Sequence, residues 1–212
     1  RKLYNTIQRN AERILQLVNQ LMDIRKIDKG QMSLMFKKAE IVSFTRDLLE
    51  TFEQQTRVKK LDLKFHTSAP EIEMWIDPKN FDKIILNLLS NACKFTPENG
   101  QVEISLSTGE DTHLPQNAPL RRYVELTVAD SGIGIASTER DHIFERFYQI
   151  RNSQNNSNIG TGIGLHLTRS LVELHYGNIH VEDNGEGRPG SRFIIRLPLG
   201  NGHLKKEEIE EA

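Results

Sequence analysis

The stretch "NLLSNACKFTP" (residues 87–97) carries an apolar and a polar helix pattern side by side. Its leucines and alanine form the buried stripe of an amphipathic helix that stops before the proline. Asn87, Asn91 and Lys94 stand at positions i, i+4 and i+7, so they project together from one face of that helix. Asparagine is a mediocre helix former, because its amide competes for backbone groups. Two of them in line with a lysine therefore raise the question of what this face binds.

The composition limits the class of protein. The chain has 212 residues and a formal net charge of -1, which suits one well-cored domain with an accessory element and gives no basic field for nucleic acid. Its one cysteine, Cys93, excludes a disulfide framework and fits a reducing compartment. No apolar run approaches the roughly 18 residues of a membrane span. Because the sequence opens in the middle of a repeat pattern, we expect it to be a piece of a longer protein.

Residues 1–28 form a first unit with a heptad pattern. The positions spaced alternately by four and three residues are Leu3, Ile7, Asn10, Ile14, Leu17, Leu21 and Ile24. A helix with so narrow an apolar stripe needs a partner helix, and the asparagine within the stripe can fix register or oligomer state. The alternative, a helix lying on its own domain, stays open. Gly30 in "DKGQM" marks the end of the helix.

The rest of the chain mixes strand and helix patterns. A strand near residue 34 is predicted to lead into a helix over roughly 40–57. Alternating apolar residues predict strands at 61–66, 71–76, 101–107 and 122–130. Asp77 is expected to cap the helix of the opening motif, with Pro78 in its first turn. The remaining predictions are a surface loop at 108–121, a helix at 162–176 and a closing hairpin of 178–183 with 191–199.

This order of elements favours an α+β fold. We expect a two-layer α/β sandwich with its helices on one sheet face, preceded by one long coiled-coil-like helix. The expected units are the helix at 1–33, the main domain at 34–199, and a charged linker or tail at 200–212 that is solvated.

Two glycine-rich segments are candidates for phosphate contacts. "DSGIGI" (130–135) follows a predicted strand, and "GTGIGL" (160–165) follows a polar loop and opens a helix. Unpaired N–H groups at a helix N-terminus, with glycines before them, suit a phosphate. The second segment is not a dinucleotide fingerprint, since its third glycine comes one residue early and no strand precedes it. No Walker phosphate loop occurs in the sequence.

Four motifs in order carry a specific resemblance to a known family. "NLLSNACKF", "DSGIGI", "FERFY" and "GTGIGL" resemble the N box, first glycine box, phenylalanine box and second glycine box of the catalytic ATP-binding domain of sensor histidine kinases. The resemblance covers about residues 36–198. The heptad helix with "DKGQM" resembles the second helix of that family's dimerisation and phosphotransfer hairpin. The ending "RLPLGNGHL" with its acidic tail is similar to hybrid sensors, in which a receiver domain follows.

The resemblance implies roles for the polar face of the opening helix. Asn91 and Asn87 would coordinate Mg²⁺ on the ATP phosphates through their amide oxygens, because Mg²⁺ takes oxygen ligands. Lys94 would place a positive charge on the phosphates. Phe95 would lie against the nucleotide, and simple core packing is its alternative role.

The resemblance also implies contacts from the two glycine boxes. Asp130 would accept a hydrogen bond from the adenine amino group, whereas its alternative role is to cap a turn. Further contacts to the nucleotide would come from Gly132, Gly134, Ile135, Gly160, Thr161, Gly162, Gly164 and Leu165.

A lid over the nucleotide is expected between the phenylalanine box and the second glycine box. Residues 149–159 are polar and end at a glycine, so we expect them to be mobile. Phe144 and Phe147 would support the base of this lid. Arg146 or Arg151 would meet the γ-phosphate, unless it is an ordinary solvated arginine.

The implied function is transfer of the γ-phosphoryl group of MgATP to a histidine on a helical hairpin, for relay to the aspartate of a response regulator receiver domain. The hybrid resemblance would place that receiver on the same chain. A homodimer through residues 1–28 and a cytoplasmic position in a bacterial sensor anchored in the inner membrane are also implied. No histidine occurs in residues 1–28, so this chain alone should not phosphorylate itself.

Two alternatives to a kinase remain. One is an ATPase of the same fold, and the other is a nucleotide-binding regulatory module without kinase activity. The hydrolytic relatives carry a water-activating glutamate one turn before the residue that corresponds to Asn91. Here that position is Asn87, whose amide has no basic lone pair to take a proton, which disfavours the ATPase.

Overall fold

The chain folds with helices and strands in an α+β order. The computed structural model describes residues 2–150, 160–185 and 187–210. The helices in these ranges are α1 (Lys2–Asp28), α2 (Ile41–Glu50), α3 (Glu53–Lys59), α4 (Pro78–Phe95) and α5 (Gly164–Leu174). The strands are β1 (Lys37–Glu40), β2 (Asp62–Thr67), β3 (Glu73–Ile76), β4 (Gln101–Glu110), β5 (Arg122–Asp130), β6 (Asn178–Asp183) and β7 (Ser191–Pro198).

The main sheet has five strands in the order β2-β4-β5-β7-β6. β2 runs parallel to β4, and the other neighbours are antiparallel. Every second residue of β4 is buried, from Val102 through Ile104 to Leu106, because side chains alternate between the two faces of a strand. These residues form one core with Ile84, Leu88 and the rest of the apolar stripe of α4. The predicted two-layer α/β sandwich is therefore confirmed.

A second, two-stranded sheet pairs β1 with β3 in antiparallel orientation. Its strands lead into α2 and α4, and Glu40 at the end of β1 caps α2. The Glu40 carboxylate accepts hydrogen bonds from the N–H groups of Val42, Ser43 and Ile72 at 2.9, 2.6 and 2.9 Å. Burial opposes ionisation of this carboxyl, but the amide donors outweigh it and lower its pKa to about 2.

Helix α4 begins as its sequence predicts. Asp77 is the N-cap, with its Oδ1 accepting from Asn80 N at 3.1 Å, and Pro78 occupies the first turn. The second carboxylate oxygen of Asp77 accepts from Met35 N at 3.0 Å. One carboxylate therefore both caps α4 and fixes the chain that follows α1.

Helix α1 has an exposed part and a docked part. Leu3, Ile7 and Ile14 of the heptad stripe are 74%, 59% and 62% exposed, whereas Ile24 is 6% exposed and belongs to the core. Asp23 near the same end forms an ion pair with Lys83 of α4 at 2.7 Å. The last turns of α1 thus lie on their own domain, and the earlier turns present the apolar stripe that we expected to face a partner helix.

The single helix predicted over 40–57 is wrong. The chain forms α2 and α3 instead, with an interruption at Thr51 and Phe52. The Thr51 hydroxyl donates to the Leu48 carbonyl at 2.6 Å, a local bond that competes with helix continuation. Leu49 and Thr56 stay buried on either side of this bend, so the helical spacing of buried residues continues although the helix does not.

The tail predicted to be solvated at 200–212 is docked at residues 208–210. Phe36 N donates to the Glu208 carbonyl at 2.6 Å, and Glu210 N donates to the Phe36 carbonyl at 2.8 Å. The Tyr176 hydroxyl donates to the Glu208 carboxylate. Charge composition missed this contact because it is made largely by backbone groups, which seek partners whatever the side chains are.

The remaining predicted elements are confirmed with shifted ends. β4 continues to Glu110, which shortens the predicted loop at 108–121, and α5 begins at Gly164 and ends at Leu174. Over the described ranges, no helix combines the length and hydropathy that a membrane span requires.

A buried histidine joins α5 to the cap of α4. His175 is 2% exposed, and its Nδ1 donates to the Leu171 carbonyl at 2.7 Å. Its Nε2 accepts from Asp77 N at 3.3 Å, so the ring must be neutral at that nitrogen. Burial lowers the pKa of His175, because the charged imidazolium loses its hydration in the core.

We predict that His175 makes stability depend on pH in the mildly acidic range. Its folded-state pKa is lowered, so its contribution is complete above the unfolded pKa of about 6.5 and is lost as the pH falls below that value. Urea unfolding from pH 8 to 5 should show a smaller loss of free energy on acidification for His175→Gln than for the wild type. His113→Gln, in an exposed loop, is the control. Parallel curves for wild type and His175→Gln would contradict the prediction.

Candidate functional site

The polar face of α4 meets the second glycine box. Asn87, Asn91 and Lys94 are all half-buried on one side of this helix. A Cβ placed on Gly160 would lie 3.2 Å from Lys94 Nζ, so the glycine backbone passes directly over the lysine head. The structure therefore brings together the asparagine helix and the glycine segment that the sequence placed 65 residues further on (95 to 160).

The Asn87 amide fills the space between α4 and α5. Its Nδ2 donates to Thr168 Oγ1 at 2.7 Å. A Cβ at Gly164 would lie 3.0 Å from both Cγ and Nδ2 of Asn87 and closer still to Oδ1. The first turn of α5 can approach α4 this closely only because residue 164 has no side chain. The Asn91 amide has no hydrogen-bond partner among the described residues.

Asp130 lies at the end of β5 in a closed polar environment. It is 5% exposed, with its Oδ2 accepting from Ser191 Oγ at 2.6 Å and its Oδ1 accepting from Gly132 N at 2.8 Å. Burial raises the pKa of Asp130, and these two donors partly offset that effect. Gly190 is required beside it, since its φ is 104° and a Cβ there would overlap the Asp130 carbonyl.

The first glycine box connects Asp130 to the end of α4. A Cβ at Gly132 would lie 2.7 Å from the Phe95 carbonyl oxygen, so the segment can pass this close only as glycine. Gly134 has a φ of 73°, in the left-handed region. Ile135 after it is half-buried and packs against the core. The close approaches seen here are between segments of the protein, and the contacts of Gly132 and Gly134 to a nucleotide stay a prediction.

Phe95 and Lys94 form a small group at the last turn of α4. Lys94 Nζ lies 4.7 Å from the centroid of the Phe95 ring. Phe95 is 43% exposed, so core packing does not account for it. An exposed aromatic ring beside a lysine suits a planar, anionic ligand.

Lys59 fixes this end of the helix. Its Nζ donates to the carbonyls of Cys93, Lys94 and Thr96 at 2.8, 3.0 and 3.0 Å. The last carbonyls of a helix lack partners within it, and a cation there also complements the helix dipole. The sequence interpretation missed Lys59, since only the tertiary fold places α3 against the end of α4.

The two phenylalanines of the phenylalanine box differ in their surroundings. Phe144 is buried and meets Phe193 of β7 edge to face at 6.4 Å between centroids, so it supports this region as predicted. The Phe147 side chain is 65% exposed and gives no such support. Its backbone makes the contact to the second glycine box instead, with Phe147 N donating to the Gly162 carbonyl at 2.9 Å.

The candidate arginine of this box is engaged elsewhere. Arg146 forms a two-pronged ion pair with Asp28 at the end of α1, and its Nε donates to His166 Nε2 at 2.9 Å. It therefore links the end of α1 to α5. Arg151 and most of the lid predicted at 149–159 lie outside the described residues.

The remaining predicted contacts line the start of α5. Thr161 Oγ1 accepts from Ile163 N at 3.3 Å, within the turn that leads into the helix. Gly162 has a φ of 69°, and a Cβ there would lie 2.7 Å from the Phe147 backbone. Leu165 is half-buried against the core. These positions hold the N-terminal N–H groups of α5 beside the Asn87 amide, which is an arrangement suited to phosphate.

The donor set bears on the kind of metal that fits. The described residues contain no cluster of three or more histidine, cysteine, aspartate or glutamate side chains that could hold an ion by itself. Two neutral amides can supply oxygen ligands to a hard cation whose other ligands are phosphate oxygens and water, as Mg²⁺ prefers. The residues present therefore fit Mg²⁺ brought in with a nucleotide.

Ser191 and Thr168 are further site residues that the sequence interpretation missed. The Ser191 hydroxyl donates to Asp130, and the Thr168 hydroxyl accepts from Asn87, so each bonds to a predicted site residue. Thr168 stands four residues after Gly164, so it shares a helix face with a predicted contact, and that spacing was an available signal. Nothing local marks Ser191, since the pairing of β5 with β7 brings it to Asp130.

We predict that Gly164→Ala destabilises the fold although alanine is the better helix former. The new Cβ would displace the Asn87 amide, and overpacking of this kind costs about 1–3 kcal/mol, more than the ~1 kcal/mol that alanine gains in a helix. The free energy of unfolding should be measured in urea. Gly202→Ala is the matched control, because a Cβ there meets nothing within 4 Å. Equal stability of the two variants would show that the close approach of α5 to α4 is not required.

Comparisons with known proteins agree with this geometry. The sequence matches a family model described as histidine kinase-, DNA gyrase B- and HSP90-like ATPase over residues 76–201. Histidine kinase P4 of Formosa agariphila is 32% identical over 206 residues, which cover 96% of this chain and 14% of that protein. Sensor histidine kinase TmoS of Ectopseudomonas mendocina is 38% identical over 198 residues, covering 93% of this chain and 19% of that protein. The chain thus spans less than a fifth of either relative.

A solved structure extends the match to three dimensions. Full-length ShkA in complex with AMPPNP aligns with a TM-score of 0.75 and 26% identity, covering 94% of this chain and 39% of that one. Both the motifs and the arrangement of helices on the sheet are shared with this group. The chain therefore belongs to the family of histidine kinase-, DNA gyrase B- and HSP90-like ATPases, and within it to the catalytic ATP-binding domains of sensor histidine kinases.

Proposed function

We propose that this domain binds MgATP and transfers its γ-phosphoryl group to a histidine on a helical hairpin. The observation that carries the proposal is the convergence of Asn87, Asn91 and Lys94 of α4 on the glycine-lined start of α5, with the buried Asp130 at the end of β5. These groups offer metal-binding oxygens, a cation for phosphate and an acceptor for a base within one region.

Asp130 would recognise the base. A carboxylate accepts hydrogen bonds only, so it pairs with the exocyclic amino group of adenine. Ser191 and Gly132 each occupy one position on the carboxylate and leave further lone pairs for a ligand. Because both of these donors are fixed by the fold, the carboxylate is oriented before the nucleotide arrives. Phe95, which is partly exposed, would stack on or beside the base.

The phosphates would lie between α4 and α5. Lys94 supplies a positive charge, and the glycines at 160, 162 and 164 let the backbone approach the ligand. The amide oxygens of Asn91 and Asn87 would hold Mg²⁺, which when bound neutralises phosphate charge and orients the γ-phosphoryl group. The chain's own contribution is to fix the phosphates and exclude bulk water.

The transfer step needs little from this domain beyond positioning. A neutral imidazole is already a nucleophile, so no base on this chain has to remove a proton before attack. The bond from the γ-phosphorus to the β–γ bridging oxygen breaks as the bond to the imidazole nitrogen forms. Asn87 cannot take a proton from water, and this disfavours the rival ATPase reaction.

The partners follow from the same proposal. The acceptor would be a histidine-bearing hairpin whose second helix is α1, packed as a homodimer through the exposed stripe of residues 1–28. A response regulator receiver domain would take the phosphoryl group from that histidine. We place this relay on the cytoplasmic side of a membrane-anchored bacterial sensor, where ATP is available.

The first prediction of this proposal concerns binding. The chain should bind ADP with Mg²⁺, and Asn91→Ala or Asp130→Asn should weaken binding by tenfold or more. Loss of one interaction with a charged or metal-bound group costs about 1.5–3 kcal/mol. Isothermal calorimetry on folded variants measures this, with Asp47→Asn on the exposed side of α2 as the control. Unchanged affinity in both site variants would remove the site assignment.

The second prediction concerns the reaction. The present chain should neither label itself from radioactive ATP nor turn ATP over appreciably. In a longer chain that carries a histidine-bearing hairpin, label should appear as acid-labile, alkali-stable phosphate, and Asn91→Ala should abolish it. Robust ATP turnover by the present chain would favour the ATPase. Tight MgATP binding with no label in the longer chain would favour the regulatory module.

A further inference from the structure

Thr168 is a buried hydroxyl aimed at the candidate metal face. It lies on α5, is 1% exposed, and its Oγ1 accepts from Asn87 Nδ2 at 2.7 Å. A threonine inside a helix has no need of a partner on another helix. Here the side-chain partner belongs to one of the two candidate metal ligands.

The Asn87 amide is held at both ends, by Thr168 at its NH₂ group and by the first turn of α5 at its oxygen. An amide has a donor end and an acceptor end, and they exchange places if the side chain flips by half a turn. With Nδ2 held by Thr168, the oxygen lies against Gly164 in the first turn of α5. That is the turn whose N–H groups and neighbouring glycines are suited to phosphate.

The orientation matters because Mg²⁺ binds the oxygen of an amide and not its NH₂ group. A flipped Asn87 could still bond to Thr168, whose hydroxyl can donate as well as accept, but its NH₂ group would then face the N–H donors of the first turn of α5 and the cation. We propose that Thr168 is a positioning residue that keeps the Asn87 oxygen turned toward the metal bound with the nucleotide. The inference rests on the proposed function, since it requires MgATP at this site.

A purely structural role makes a different prediction. If the Asn87–Thr168 bond only holds α4 against α5, its loss should lower stability and weaken nucleotide binding equally with and without Mg²⁺. If Thr168 orients a metal ligand, its loss should raise the Mg²⁺ requirement and leave metal-free binding unchanged. The two roles are therefore separated by the metal dependence and not by affinity alone.

The test compares Thr168→Val, Thr168→Ser and the wild type with ADP as the probe. ADP binding is measured by calorimetry in EDTA and across a MgCl₂ titration. Thr168→Val keeps the shape but removes the acceptor, so the Mg²⁺ concentration for half-maximal enhancement of ADP binding should rise roughly fivefold, as expected for one lost hydrogen bond. Thr168→Ser restores a hydroxyl and should return the wild-type value.

Thr45→Val is the matched control for a buried threonine. Thr45 lies in α2 at 0% exposure, and its Oγ1 has no hydrogen-bond partner among the described residues. It should leave the Mg²⁺ requirement unchanged. A double-mutant cycle with Asn87→Ala adds a second arm: once Asn87 is gone, Thr168→Val should cause no further rise.

Three outcomes would overturn the inference. The first is that Thr168→Val needs the same Mg²⁺ concentration as Thr45→Val. The second is that Thr168→Val loses ADP affinity equally with and without Mg²⁺. The third is that Thr168→Val raises the Mg²⁺ requirement as much in the Asn87→Ala background as in the wild type. If Thr168→Val does not fold, failure of Thr168→Ser to match the wild-type Mg²⁺ requirement decides against it. A wild-type chain that binds no ADP at all would instead overturn the proposed function, which calorimetry on the wild type shows before any variant is made.

Discussion

Helix α4 is fixed at both ends by charged side chains, and the rest of the site depends on that. Asp77 caps its N-terminus and Lys59 binds three carbonyls at its C-terminus. A carboxylate at the first turn and an ammonium at the last both complement the helix dipole, so each is favourable beyond its hydrogen bonds. Because the apolar stripe of α4 is also packed on the sheet along its length, the helix can carry a polar face beside that stripe and keep its position.

The two walls of the site use this fixed helix as their reference. Gly132 passes the Phe95 carbonyl on one side, and Gly164 passes the Asn87 amide on the other. Both contacts exclude any larger residue, so glycine here sets distance and not flexibility. The site is therefore a place where three backbone segments converge, and the functional side chains occupy the narrow space that remains.

Local signals in the sequence predicted the parts of the fold that are locally determined. The cap at Asp77, the alternation of β4 and the glycine boxes each depend on a few neighbouring residues, and each was found. The prediction of a single helix over 40–57 was wrong because the spacing of its apolar residues continues through the bend at Thr51. Periodicity alone therefore does not reveal the interruption. The prediction of a solvated tail was wrong for a related reason, since backbone pairing with Phe36 leaves no signal in charge or hydropathy.

The site was predicted only as far as its motifs extend. Asn87, Asn91 and Asp130 stand in recognisable patterns, whereas Lys59, Thr168 and Ser191 become partners of the site through strand pairing and helix packing that bring distant segments together. Phe147 and Arg146 do stand in a motif, but the motif did not predict their surroundings. Phe147 is exposed, and Arg146 pairs with Asp28. A motif gives the identity of a residue, but its neighbours in space decide what its side chain contacts.

The joint after α1 has a mechanical consequence. Met35 is bonded to the Asp77 carboxylate, and the next residue, Phe36, is bonded to the backbone of the tail. Asp77 is also the cap of α4, so the chain that follows α1 is bonded to the base of that helix. A displacement of α1 that carries Met35 with it would therefore have to break the bond to Asp77 or move the base of α4 as well.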